Sequence, residues 1–292
     1  MVVRKNTLGE NIFDVLNVTF LLIFCATCIY PFLYIFNLSV SEGLSSSQYG
    51  LHLIPKGLTF EYYKKTLGSQ IIYISFYNSV FRTVVATVLT VIFTVMPAYA
   101  ISKKYFPDRG FWTMFILIPM FFGGGLIPTY FLIKSLNLIN SRWVLILPGL
   151  ISTYNIILIR TFMQTIPDSL EESAKLDGAN EPTILFKIIL PICKPILATI
   201  ALWTAVGHWN AWFDCILYIT DEKKVVLQVV LQRIVTLGNA GLATNAASVE
   251  EQPPIFAVIA CTIVIATLPI ILVYPFLQKY FVKGIMIGSL KG

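Results

Sequence analysis

The chain has 292 residues, 57% hydrophobic and only 12% charged. Soluble domains carry about 25% charged residues, so this chain cannot coat a surface for water, and its mean hydropathy of +0.77 agrees. Soluble globular enzymes, disordered proteins and nucleic-acid binders are excluded. The net charge of +6 is spread between apolar runs rather than gathered in one patch. The chain therefore reads as an all-α integral membrane protein whose charges report topology.

Uncharged runs bounded by charges fall at 15–41, 66–102 (interrupted only by Arg82), 110–133, 143–159, 195–213 and 252–278. A spanning helix needs about 20 apolar residues, so each run predicts one span. The shortest, 143–159, is extended past Arg160, whose side chain can snorkel. The first run is too long for the apolar core of a signal peptide, so no cleavable signal is expected. Six spans place both termini on one side. With the N-terminus inside, the inner segments hold twelve Lys and Arg and the outer ones eight, which favours cytoplasmic termini. The expected organisation is a single transmembrane domain, 1–292, with a cytoplasmic tail at 1–11, a cytoplasmic loop at 160–194 and an outer loop at 220–251. The Gly/Ala/Asn-rich stretch 238–249 reads as a flexible part of that outer loop. Pro31, Pro97, Pro119, Pro128, Pro148, Pro269 and Pro275 lie within the apolar runs. They fit kinked helices around a cavity or ordinary helix ends equally well.

The five cysteines include one C-x-x-C, Cys25 and Cys28, with no second pair to complete a zinc site. With only His52 and His208 beside them, no metal centre is expected.

The longest inner segment is RTFMQTIPDSLEESAKLDGANEPTILFKIILPICK. Pro167 breaks the chain, and Asp168 or Ser169 offers an N-cap. Ser169 and Glu172 have the spacing of a capping box, and Gly178 is a natural left-handed stop. A short helix is predicted over 169–177, with a second starting near Pro182 and running toward Pro191. A short polar helix on the cytoplasmic face has the form of a docking element.

The same segment carries Glu172-Ser173-Ala174, then Gly178, then Ile188, Leu190 and Pro191. This spacing resembles the E-A-A-x3-G-x9-I-x-L-P loop of ABC-importer permeases, with Ser173 replacing one alanine. The string Leu170–Ala179 and the tail FVKGIMIGSLKG resemble the MalG-like carbohydrate-uptake branch. So does Ile54-Pro55-Lys56 with Thr59-Phe60-Glu61-Tyr62. Gly123–Tyr130, GGGLIPTY, is similar to a subgroup assigned to complex oligosaccharides and acidic or cell-wall-derived glycans. The resemblance implies a type I ABC-importer permease fold in the bacterial cytoplasmic membrane. It implies a second homologous permease, two cytoplasmic ATP-binding subunits, an extracytoplasmic solute-binding protein and a sugar substrate. The chain would be a transport subunit and not an enzyme, forming half of the translocation pathway. It has no G-x4-G-K-[ST] motif, so ATP and Mg would be bound by the partner ATPase subunits. Glu171, Glu172, Ser173, Ala174, Asp177, Gly178, Leu190 and Pro191 are the residues expected to couple to those subunits.

Two places inside the apolar runs are candidates for the substrate pathway. Arg82 costs about 2.5–3.5 kcal/mol at mid-membrane on insertion scales, so it faces a cavity or a partner, with Asn78 one turn away. In WTAVGHWNAWFDCILY, Trp203, His208, Trp209, Asn210, Trp212 and Asp214 cluster in one helix. Aromatic faces and amide or carboxylate groups suit sugar, although an interfacial aromatic belt has the same composition. Asn155 and Tyr154 are further candidates. A permease for another solute is the alternative. A secondary carrier would want buried carboxylates at mid-span, and a membrane-embedded enzyme would want clustered His, Asp or Glu; the runs show neither.

Overall fold

The computed structural model describes residues 7–42, 50–243 and 255–289, and its regular elements there are helices. The β pairing among the described residues is a single bridge, Ser41–Leu58. The chain forms two compact units, Met1–Ser69 with Leu231–Thr267, and Gln70–Val230 with Leu268–Gly292.

In the first unit, α1 spans Leu8–Ser39. It starts earlier than the apolar run because Thr7 and Glu10 form a capping box. The Thr7 amide donates to Glu10 Oε2 at 2.6 Å, and the Glu10 amide donates to Thr7 Oγ1 at 3.3 Å. The expected tail 1–11 is thus helical from Leu8, and residues 1–6 lie outside the described residues. The apolar window of α1 buries nothing inside the chain, leaving it free to face lipid or another helix. Helix α2, Glu61–Gly68, sets Tyr62 against Ala257 and Cys261. The Tyr63 hydroxyl bonds Ser39 Oγ at 2.7 Å.

In the second unit the central element is α3, Gln70–Ser102. Helix α4, Arg109–Phe121, and α5, Leu126–Ser135, meet at 112°. The run 110–133 is therefore not one straight helix. Pro119 removes a donor near its middle, and Gly125 takes φ +80, which an L side chain resists. The run 143–159 is likewise divided. Two 3-10 turns, Arg142–Leu145 and Leu147–Gly149, precede α6, Thr153–Met163, at 50°. Helix α7 is Asp168–Leu176. Helix α8, Glu181–Ile192, contains a π segment at Leu185–Ile189 and meets α9, Lys194–Asn210, at 78°. The widened turn lies just before Pro191, whose ring would clash with the carbonyl four residues back in a regular helix. Three described helices are each long and apolar enough to cross a membrane, Leu8–Ser39, Gln70–Ser102 and Phe256–Pro275; six crossings result only if each bent pair is one span.

Helix α10, Phe213–Tyr218, is followed by α11, Leu227–Ala243, and α12, Ile255–Ser289. Helix α11 occupies much of the segment read as outer loop 220–251. The Gly/Ala/Asn-rich stretch is helical up to Ala243, and 244–249 lies outside the described residues. Val225 and Val226, which lead into α11, and Leu227, Val229 and Val230 in its first turn are buried, among the polar Gln228, Gln232 and Arg233 in the sequence. The main core of the second unit packs Val95, Ala98 and Ile101 of α3 against Ile156, Ile159, Ile184, Ile189 and Ile200. This core ties α3, α6, α8 and α9 together beside the loop that carries α7.

Candidate docking loop and translocation cleft

Helix α7 begins at Asp168, after Pro167, with no side-chain cap. The expected capping box between Ser169 and Glu172 does not form. The helix starts one residue earlier, and its first-turn acids find lysines instead. Asp168 Oδ2 accepts from Lys104 Nζ at 2.7 Å, and Glu171 takes Lys103. The Glu171–Lys103 pair is mostly buried, at 14% and 11% side-chain exposure, while Lys104 and Asp168 are open to solvent. Glu172, Ser173 and Asp177 are exposed, and Ala174 turns inward to the core. Leu190 is half-buried and Pro191 exposed.

The helix ends as its sequence requires. Gly178 has φ +81; its amide donates to the Lys175 carbonyl at 3.0 Å, and the Ala179 amide donates to the Ala174 carbonyl at 2.9 Å. This is a Schellman ending, which satisfies two otherwise orphan carbonyls. The chain then turns back to Glu181. Its carboxylate accepts from Tyr99 Oη at 2.7 Å, Tyr105 Oη at 2.8 Å and Lys175 Nζ at 2.8 Å. Desolvation pushes this carboxyl up, but the three donors together outweigh it and hold the pKa at about 2. Lys175 is raised by its bonds to Glu181 and Tyr105.

The pathway candidates divide between two faces of α9. Trp203, Thr204, Gly207, His208 and Ala211 line an open cleft of about 310 Å³ with Arg82, Thr90, Ser152 and Asn155. The Trp203 indole donates to Asn155 Oδ1 at 3.1 Å. Leu202, Ala205, Val206 and Trp209 line a separate apolar groove with Val80, Val84 and Val273. Trp209 is buried there, edge-on to Phe76 at 5.8 Å between ring centroids.

Arg82 is 3% exposed. It bonds Asp214 through both carboxylate oxygens, donates to the Ala211 carbonyl at 3.0 Å and approaches His208 Nδ1 at 3.4 Å. Its charge is therefore neutralised at the cleft wall. Asn78 is buried outside the cleft, donating to the carbonyls of Lys223 and Val225 at 2.9 and 3.0 Å. Asn210 is exposed and also lies outside the cleft lining.

With this geometry in place, comparison with known proteins is decisive. Residues 71–287 match the family described as the binding-protein-dependent transport system inner membrane component. The chain belongs to this family. It is 42% identical over 288 residues to Protein LplC of Bacillus subtilis, covering 98% of this chain and 97% of the relative. It is 39% identical to the polygalacturonan/rhamnogalacturonan transport system permease protein YtcP of the same organism, covering 97% and 99%. Among solved structures, it resembles a chain of a bacterial ABC transporter involved in the import of the acidic polysaccharide alginate. That likeness has a TM-score of 0.86 at 33% identity and covers 96% of this chain and 100% of the other. The chain is thus a multi-pass cell-membrane permease with the type I ABC-importer fold, a transport subunit and not an enzyme.

The sequence reading located the loop helix and Gly178 but missed the groups that hold them. Lys103 and Lys104 end an apolar run, and the acids Asp168 and Glu171 open the loop helix, so opposite charges could have been matched between the two segments. Tyr99 and Glu181 carried no such signal, because the first lies inside an apolar helix and the second follows a turn.

Proposed function

We propose that the chain is one of two transmembrane subunits of an ATP-driven importer that takes up oligosaccharide fragments of acidic polysaccharides. The observation that carries this is the full-length likeness to YtcP and to the alginate-importer chain. α7 docks on a cytoplasmic ATP-binding subunit that holds ATP and Mg, with Glu172, Ser173 and Asp177 on its outward side. A second, homologous permease completes the pathway, and an extracytoplasmic binding protein delivers the sugar. Both termini are cytoplasmic.

Within this chain, the cleft offers the indole of Trp203 and the polar groups of Asn155, Ser152, Thr204 and His208. An indole stacks on the C–H faces of a sugar ring, and amide and hydroxyl groups satisfy its hydroxyls. Because Asp214 neutralises Arg82, recognition here rests on stacking and neutral hydrogen bonds, and selection for uronate charge falls to the binding protein or the sister permease. Closure of the ATPase dimer shifts the population between inward- and outward-facing arrangements.

The test is substrate-stimulated ATPase of the assembled complex in proteoliposomes, with its binding protein, over a panel of galacturonate, alginate and neutral maltose oligosaccharides. Stimulation by the uronate oligosaccharides above the neutral ones is expected. Stimulation by a peptide or polyamine pool, with none by any oligosaccharide, would overturn the assignment to sugar.

A further inference from the structure

Helix α7 has two routes by which to move the membrane part of the chain. One is covalent, through the turn at Gly178 into α8 and α9. The other is lateral, through side chains that join α7 to α3 and the segment after it. Three observations define the lateral route. Ala174 packs in the core beside Val95, Ala98 and Tyr99. Glu171 holds Lys103, whose Nζ also lies 4.2 Å from the centre of the Tyr99 ring. Glu181 gathers Lys175 of α7, Tyr99 of α3 and Tyr105 of the following segment on one carboxylate. The Lys175 ammonium sits 4.3 Å over the Tyr105 ring and 3.2 Å from its hydroxyl, so every member of this group touches another.

Glu181 is the only member of the group that accepts from all three segments. Each of its oxygens is engaged: Oε2 by Tyr99, and Oε1 by Tyr105 and Lys175. Charge-assisted hydrogen bonds of this kind are about twice as strong as neutral ones. Nearer the middle of the same helix, α3 carries Arg82 into the cleft. Tyr99 and Arg82 are separated by about 25 Å at the helical rise of 1.5 Å per residue. A continuous helix with one interior proline, Pro97, fastened near its C-terminal end therefore carries a displacement of α7 to the cleft wall.

We propose that Glu181 is a positioning residue that fastens the docking helix α7 to α3, so that ATPase motion reaches the translocation cleft through α3 as well as along the chain into α9. This rests on the reading of α7 as the ATPase-docking element. Glu181 turns toward α3 and Lys175, while Glu172 and Ser173 face outward, so loss of the Glu181 carboxylate separates docking from transmission.

The experiment compares wild type with Glu181→Ala, Glu181→Gln and the double variant Tyr99→Phe/Tyr105→Phe in the complete complex. The readouts are ATPase subunits retained on purification, ATP hydrolysis, and labelled galacturonate oligosaccharide carried per ATP hydrolysed. In Glu181→Ala and in the tyrosine double variant, the ATPase subunits stay bound and ATP is still hydrolysed. The sugar carried per ATP falls about 5-fold or more, the low end of a coupling effect. Glu181→Gln still accepts from the tyrosine hydroxyls and loses less. The double variant removes only two hydroxyl groups, so it reports even where the alanine variant assembles poorly. An unchanged ratio in the variants, or a proportional loss of hydrolysis and transport, would overturn the inference. A wild-type complex that holds no ATPase would instead remove the reading on which it rests.

Discussion

Arg82 and Asp214 lie 132 residues apart and meet through two guanidinium–carboxylate contacts, one of 3.1 Å between Nη1 and Oδ1. The same Asp214 Oδ1 accepts from the Cys215 amide at 2.9 Å. The pair therefore does two things: it removes a net charge from the cleft wall, and it pins the break between α9 and α10 to α3.

Breaking a buried pair from one side leaves an uncompensated charge and costs about 3–5 kcal/mol. Asp214→Ala should destabilise the chain by that order, because Arg82 is the more buried partner. The double variant Arg82→Leu/Asp214→Leu should recover most of the loss. Denaturant unfolding in detergent micelles measures both. Equal stability of the single and double variants would show that the pair is not coupled.

The loop helix gives a backbone test. No atom lies within 4 Å of a Cβ built on Gly178, so a substitution there suffers from φ +81 and not from crowding within this chain. Gly178→Val should lose about 1–2 kcal/mol at the turn and reduce uptake while the chain still inserts. Gly178→Asn, which tolerates the left-handed region, should retain most uptake. Equal transport by the valine variant and wild type would contradict a docking turn at this position.

The carboxylate of Glu181 sets a pH window. Its folded value is about 2, below the ordinary 4.5. A depressed carboxyl contributes stability that is fully present above its unfolded value and lost as pH falls through the folded one. The junction of α7 with α3 should thus be constant from neutral pH down to about 5, and loosen toward pH 2. Amide exchange of residues 168–181, corrected for intrinsic rates, checks this. Loosening already between pH 7 and 6 would point to a different group.

Topology is tested by labelling. An impermeant amine reagent applied to intact cells should modify Lys223 and spare Lys5 and Lys291. Modification of Lys291 in sealed cells would reverse the orientation.

The parts of this molecule that were readable from the sequence are those fixed by local chemistry. Apolar length located the three long apolar helices among the described residues, and Pro167 with Gly178 bounded the loop helix. What was not readable depends on long-range contact. The 112° bend at Phe122–Gly125 sits inside a run that composition alone reads as continuous. Trp203 and Trp209 look equivalent in the sequence, yet six positions along α9 place one on the polar cleft and the other in an apolar groove. Asn78 is adjacent to Arg82 on the helix, but its partners are carbonyls at 223 and 225, which no local pattern connects to it.

The distinction between those two tryptophans is itself testable. Trp203→Phe keeps a ring in the cleft but removes the donor to Asn155, a net loss of about 0.5–1.5 kcal/mol, and should alter the ranking of oligosaccharides transported. Trp209→Ala empties a packed site and should lower stability by about 3–5 kcal/mol without changing that ranking. A changed ranking in the Trp209 variant alone would place the sugar on the other face of α9.

The central claim is that this permease moves an oligosaccharide by coupling to a separate ATPase. The most direct measurement is uptake of labelled galacturonate oligosaccharide into proteoliposomes holding the complete complex, with ATP inside and the membrane potential and proton gradient collapsed. The account predicts uptake that requires internal ATP and stops when the ATPase subunits are omitted. Uptake that persists without ATP and follows the proton gradient would contradict it.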